Sequence, residues 1–131
     1  MSTLQITGGR LAARSDNHSL PRRVALRSVP RVLAKRFLPE HAKGLETLVE
    51  LRVSASRGGE EVRFALQFAD GTMTVTRRAA PEAAAWLGGS LSDLVLITSG
   101  ARGWTELLAA GRLELGGDPF TALRVPVLLN F

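Results

Sequence analysis

Leu45-Glu46-Thr47-Leu48-Val49-Glu50-Leu51-Arg52-Val53-Ser54-Ala55 alternates in character, with Leu45, Val49, Leu51, Val53 and Ala55 at odd positions and Glu46, Glu50, Arg52 and Ser54 at even ones. Leu48 is the exception. A period of two describes a strand with one face buried. Arg57-Gly58-Gly59-Glu60 is a turn signal. From Val62 to Ala69 the alternation returns, with Val62, Phe64, Leu66 and Phe68 inward and Arg63 and Gln67 outward. Asp70-Gly71 is a strong hairpin signal, because both residues tolerate the left-handed backbone of a tight turn. Thr72 to Arg77 alternates again, with Met73 and Val75 inward and threonines outward. Three consecutive antiparallel strands follow from this reading.

C-terminal to these strands, residues 79–85 are rich in alanine and interrupted by Pro81. Propensity favours a helix at Ala83-Ala84-Ala85; the competing reading is a short fourth strand over Ala83–Leu87, with Trp86 on its buried face and Gly88-Gly89 ending it. Ser90, with Asp93 three residues later, has the form of a capping box, and Leu91, Leu94, Val95 and Ile97 supply an apolar helical stripe. Trp104, Leu107 and Leu108 have helical spacing, closed by Gly111. Arg112–Leu115 reads as a fifth strand broken by Gly116-Gly117. Asp118-Pro119 opens a last helix carrying Phe120, Leu123 and Leu128, which Pro126 should kink or shorten.

N-terminal to the strands, residues 1–19 show no sustained period and read as a loosely ordered leader. Pro21 can open a helix, and Pro30 either breaks it or starts a second one at Arg31. Val32, Leu33, Phe37 and Leu38 interleave with Arg31, Lys35 and Arg36, giving a short amphipathic helix with a basic face. The expected organisation is therefore a partly flexible basic leader over residues 1–30 and one domain over 31–131. The fold class is α+β: a five-stranded, mostly antiparallel sheet covered on one face by helices.

A chain of 131 residues buries enough surface to fold without staples, and it contains no cysteine. That excludes disulfides, thiolate catalysis and cysteine-based zinc sites. No apolar run approaches the roughly 20 residues that cross a bilayer, and the N-terminus has no signal-peptide pattern. The expected location is the cytoplasm, peripheral to a membrane if attached at all. Arginine outnumbers lysine 15 to 2, a bias that suggests a GC-rich bacterial genome. The net charge of +5 is uneven: residues 1–43 carry +7 and the remainder −2. Arg22, Arg23, Arg27, Arg31, Lys35 and Arg36 are the cations expected to face an anionic membrane surface.

Catalytic and metal sites are not indicated. His18 and His41 stand 23 positions apart in polar segments, with no partner at metal-ligand spacing. There is no Gly-x-Ser-x-Gly elbow and no phosphate loop ending in Gly-Lys-Ser or Gly-Lys-Thr. Asp70 and Asp93 are better explained as a turn residue and a helix-capping residue than as an acid–base pair. No RNA-recognition or zinc-finger signature occurs and there is no tyrosine, so nucleic acid is disfavoured as a partner. No cofactor is expected, and monomer and homodimer both stay open.

From about His41 onward the sequence resembles the sterol carrier protein type-2 domain family. Three stretches carry the resemblance: Leu38-Pro39-Glu40-His41-Ala42-Lys43-Gly44 running into a long strand; the Asp70-Gly71 hairpin, then a strand and a helix beginning at Ser90; and Leu107-Leu108-Ala109-Ala110-Gly111-Arg112-Leu113-Glu114-Leu115-Gly116-Gly117-Asp118, where Arg112 replaces the family's lysine. The resemblance implies a non-catalytic protein that holds a fatty acid, sterol-like or isoprenoid/quinone lipid in an apolar tunnel between sheet and helices. Phe64, Phe68, Met73, Val75 and Trp86 would form the sheet wall of that tunnel. Leu94, Ile97, Trp104, Leu107, Leu108, Phe120 and Leu123 would form the helix wall. The basic leader and the lack of a peroxisomal C-terminal tripeptide depart from animal members, so a bacterial lipid is expected rather than peroxisomal sterol. Two other readings compete: a basic interaction module that uses the leader, and a small α+β barrel enzyme acting on a polycyclic substrate. The enzyme would need a buried Asp, His or Tyr base, which the inward strand positions lack.

Overall fold

The computed structural model describes residues 19–55 and 60–131, with side chains from residue 26 onward. The expectations for residues 1–18, for the turn at Arg57-Gly58-Gly59 and for the Arg22 and Arg23 side chains lie outside these described residues. The elements are α1 (Ser19–Arg36), a 3-10 turn (Pro39–His41), β1 (Thr47–Ser54), β2 (Glu61–Ala69), β3 (Thr72–Thr76), β4 (Ala85–Ser90), α2 (Leu91–Thr98), α3 (Trp104–Ala109), β5 (Leu113–Gly117) and α4 (Pro119–Leu128).

The strands form one sheet in the order β3-β2-β1-β4-β5. Three pairings are antiparallel and the central one, β1 with β4, is parallel. The hairpin turn is as its sequence requires, with Asp70 at φ 53° and Gly71 at φ 73°. Register puts Val49, Leu51 and Val53 on one face with Phe64, Leu66, Phe68, Met73 and Val75. Leu87, Leu113 and Leu115 continue that face across β4 and β5. The helices cover it, and their buried side chains join the same apolar cluster.

Helix α1 runs unbroken through Pro30 and so crosses the boundary expected at residue 30. Pro30 removes one backbone hydrogen bond. Leu26, Val29 and Leu33, spaced 3 and 4 apart on the other side of that break, are all buried in the core. Tertiary burial outweighs the local penalty. Pro126 likewise sits inside α4 without ending it.

β4 differs most from its sequence reading. No helix forms over residues 79–84, and the strand begins at Ala85 rather than Ala83. Ala85 pairs with Val49 and Leu87 with Leu51, so both face the core, while Trp86 pairs with Glu50 and faces the opposite side. Gly88-Gly89 and Gly116-Gly117 lie within strands instead of terminating them. The Trp86 indole explains two of these glycines. A Cβ on Gly116 would come within 2.2 Å of its Nε1, and one on Gly88 within 3.4 Å of its ring. Gly117 adopts φ 82° and lies against the Ala84 carbonyl, where an added Cβ would be 2.5 Å away.

The Ser90 and Asp118 N-caps are as the sequence predicts, while the Asp93 side chain, expected to complete a capping box, pairs with Arg112 instead. Ser90 Oγ accepts from the Asp93 N–H at 3.1 Å. Asp118 Oδ2 accepts from the Thr121 N–H at 3.1 Å and from its hydroxyl at 2.6 Å. These bonds hold the Asp118 carboxyl below its ordinary range. The Asp93 carboxylate accepts from the Arg112 guanidinium.

Candidate functional site

The space between sheet and helices is built from apolar side chains alone. Phe64, Phe68, Leu94, Ile97 and Leu107 are buried there as expected, and Met73 and Val75 on β3 and Trp104 and Leu108 on α3 pack half-buried at its opposite margins. The Phe68 ring lies 5.9 Å from that of Phe37 on the chain leaving α1. Sequence reasoning missed the contribution of α1 itself, although the 3–4 spacing of Leu26, Val29 and Leu33 signals it.

Three of the twelve expected wall residues are elsewhere. Trp86 lies on the open face of the sheet, with the Arg52 guanidinium 4.1 Å above its ring. Phe120 and Leu123 point outward from α4, 80% and 52% exposed. The α4 face turned to the core carries Ala122, Val125, Leu128 and Leu129 instead. Both faces of that helix are apolar, so spacing alone could not choose between them.

Apart from Arg36, whose guanidinium turns in at the helix ends with its Nε buried, charge lies on the other side of the sheet and on the surface. Glu50, on the open face of the central strand, is only 1% exposed. It accepts from Arg52 Nε at 2.6 Å, Arg63 Nη1 at 3.4 Å and the Ala80 N–H at 2.6 Å. Burial opposes its ionisation, but the Ala80 N–H and the two guanidiniums outweigh that and lower its pKa below the ordinary value. The Ala80 bond shows that the segment joining β3 to β4 crosses this open face and covers the carboxylate. Beside it runs a polar cleft of about 420 Å³, bordered by Arg52, Ser54, Trp86, Ser90, Asp93 and Arg112. A second cleft of about 310 Å³, bordered by Lys43, Glu46 and Asp70, lies at the β2–β3 turn. Apart from Trp86, neither is bordered by an expected wall residue. Among the described residues no cluster of histidine or carboxylate groups could hold a metal ion.

The six cations expected to face a membrane separate into two kinds among those described. Arg27, Arg31 and Lys35 are exposed at successive intervals of four on α1 and make no ion pair among the described residues. Arg36 instead turns inward: it donates to the Thr98 carbonyl at 2.9 Å and to the Asn130 carbonyl. It ties the end of α1 to the ends of α2 and of the chain.

An apolar interior sealed between a five-stranded sheet and one layer of helices matches a known family, SCP-2 sterol transfer, over residues 32–130. The chain belongs to that family. Solved SCP-2 structures share the fold. The Aedes aegypti sterol carrier protein 2 like 2 crystal structure superposes with a TM-score of 0.62 at 15% identity, over 81% of this chain and 97% of that one. The palmitated form of the same mosquito protein in solution gives a TM-score of 0.63 at 13% identity, over 82% and 92%. An inverting sec-alkylsulfatase from Pseudomonas sp. also contains the fold, with a TM-score of 0.58 at 20% identity. There the match covers 74% of this chain and only 15% of the sulfatase. No curated protein matches the chain. Family membership supports lipid binding or transfer as the general function. No described helix is long and apolar enough to cross a membrane.

Proposed function

We propose that this SCP-2 protein binds and carries a hydrophobic ligand between its sheet and its helices, without catalysing a reaction on it. A fatty acid, a sterol-like molecule and an isoprenoid or quinone lipid all fit the chemistry. The observation that carries the reading is the interior itself: a contiguous apolar cluster from which both buried charged side chains, Glu50 and Asp93, are kept apart by pairing with arginines elsewhere. Such an interior selects for apolar surface and offers no group to transfer protons. Each methylene taken from water contributes about 0.8 kcal/mol, so a chain of roughly 14 carbons offers on the order of 10 kcal/mol before ordering costs. The mosquito relative with the same fold was solved in a palmitated form.

Phe64, Phe68 and Leu107 fill the interior, each at most 1% exposed. A ligand must displace them, and that requires the helices to part from the sheet. Met73 and Val75 on β3 and Trp104 and Leu108 on α3 are half-buried at opposite margins of the cluster, and either margin offers a place for the parting to begin. The row Arg27, Arg31 and Lys35 supplies reversible attraction to an anionic membrane, at about 1 kcal/mol per cation near the surface. Ligand exchange at that surface would be screened by salt.

The test is native mass spectrometry of freshly purified protein, followed by organic extraction and lipid analysis. A co-purified lipid near one equivalent, or uptake from a fatty-acid, sterol and quinone panel, is the expected result. A clean mass with no uptake would overturn the reading and favour an interaction module.

A further inference from the structure

Helix α4 is apolar on both faces. Ala122, Val125, Leu128 and Leu129 face the core, while Phe120, Leu123 and Val127 form an outward ridge at 80%, 52% and 51% exposure. Arg124 is the helix's only charged residue. A helix that is hydrophobic all round is normally buried all round, so the ridge implies an absent partner.

Where the other exposed apolar groups lie identifies the partner. All five exposed large hydrophobics among the described residues are on helices: Val32 on α1, Val95 on α2 and the three of the α4 ridge. The open face of the sheet has none. Because α1 and α4 both turn their buried sides to the sheet, their outward sides look away from it together. One side of the molecule thus combines an apolar ridge with the cation row Arg27, Arg31 and Lys35. Arg124 borders the ridge itself and donates to the His41 carbonyl at 3.3 Å, two residues from exposed Lys43. Glu40 is the acid on that turn.

We infer that the α4 ridge Phe120–Leu123–Val127 inserts into the interfacial layer of an anionic lipid bilayer, with the α1 cations lying against its headgroups. Apolar side chains beside cations are the composition of interfacial helices. A second copy of this chain fits less well. Three side chains fall far short of the roughly 800 Å² per partner that stable interfaces bury, and a two-fold contact would set like charges around Arg124 against themselves. The inference deepens the carrier reading by naming the surface at which cargo is exchanged, and it rests on that reading for its purpose.

The absence of cysteine allows a clean test on the full chain. Phe120→Cys and, on the open sheet face, Thr74→Cys would each carry an environment-sensitive fluorophore. Each would be titrated with vesicles of phosphatidylcholine alone or with phosphatidylserine added. The expected result is a blue-shifted, brighter signal from position 120 on serine-containing vesicles and no change from position 74. In unlabelled protein, Phe120→Ser with Leu123→Ser should weaken vesicle partitioning about ten-fold or more. A silent label at 120, in protein that still takes up ligand, would overturn the surface and leave lipid carriage standing. A signal at 120 that grows with protein concentration in the absence of vesicles would overturn it in favour of a second copy. A vesicle response from protein that takes up no ligand would keep the surface and remove the carrier reading.

Discussion

Phe64 and Glu50 sit on adjacent strands of one sheet and are equally buried, each at 1% exposure, yet on opposite faces and for opposite reasons. Phe64 is held by apolar contact with helices that lie over it. Glu50 is held by named partners: two arginines and one backbone N–H from a segment crossing the sheet. The helix side can exchange one apolar neighbour for another, a lipid included, at little specific cost. The open side cannot, because every polar atom lost leaves another unpaired. Adaptability is thus segregated from rigidity across the thickness of one sheet, and the face built on fixed partners supports the face that the proposed carriage would open.

Mutations can break this contrast. Phe68→Ala should cost the most, about 3–5 kcal/mol for a fully buried aromatic residue, read as a lower midpoint of denaturant unfolding. Added long-chain ligand should restore part of that loss, because it can occupy the space left behind. Glu50→Ala should cost somewhat less, about 2–3 kcal/mol, since Arg52 and Arg63 are partly exposed and can return to water. No hydrophobic ligand should restore it. If ligand rescues both variants equally, the two faces are not separate.

Acid sharpens the same point. Glu50 has a folded pKa below its ordinary 4.5. Its contribution is therefore complete above the unfolded value and is lost as pH falls through the folded one. Glu50→Gln should flatten the acid limb of a stability-against-pH curve below about pH 4.5. Phe68→Ala should shift the whole curve without changing its slope. The smallest effect is expected from Gly116→Ala, about 1–3 kcal/mol, because the Trp86 ring can tilt away from the new methyl group. Its signature is spectroscopic: Trp86 should lose its stacking on Arg52, and the fluorescence should change with little effect on ligand uptake.

The helix side was more legible in the sequence than the open side. β1, β2 and β3 declare themselves by period two, and Ser90 and Asp118 by cap chemistry, because those signals are local. Trp86 was assigned to the wrong face because the face is set by register against β1, where Trp86 pairs with Glu50, and a one-residue change of register inverts every side chain. That register is fixed at its beginning by the Ala84 N–H donating to the Leu48 carbonyl, a partner distant in sequence. The paired glycines read as breaks because what requires them is contact made only in the folded sheet: the Trp86 indole against Gly88 and Gly116, and the Ala84 carbonyl against Gly117. Glu50 was correctly placed outward, but its burial depends on a crossing segment that carries no pattern of its own. In α4, two apolar stripes competed, and only the packed structure shows which one faces the core.

The parallel pairing of β1 with β4 also sets an order of assembly. β1, β2 and β3 can zip together through near neighbours. β4 reaches β1 only when the connection over residues 77–84 has crossed the open face from the far edge of the sheet, bringing Ala85 opposite Val49, and β5 and the C-terminal helix have nothing to dock on before that. The Glu50–Ala80 bond forms only at that crossing. Where that crossing follows the rate-limiting step, Glu50→Ala leaves the refolding rate nearly unchanged and appears as faster unfolding; where the crossing is itself limiting, refolding slows as well, and refolding and unfolding rates against denaturant distinguish the two. In the first case the buried carboxylate acts as a kinetic clasp, setting how long a folded molecule lasts rather than how quickly it forms.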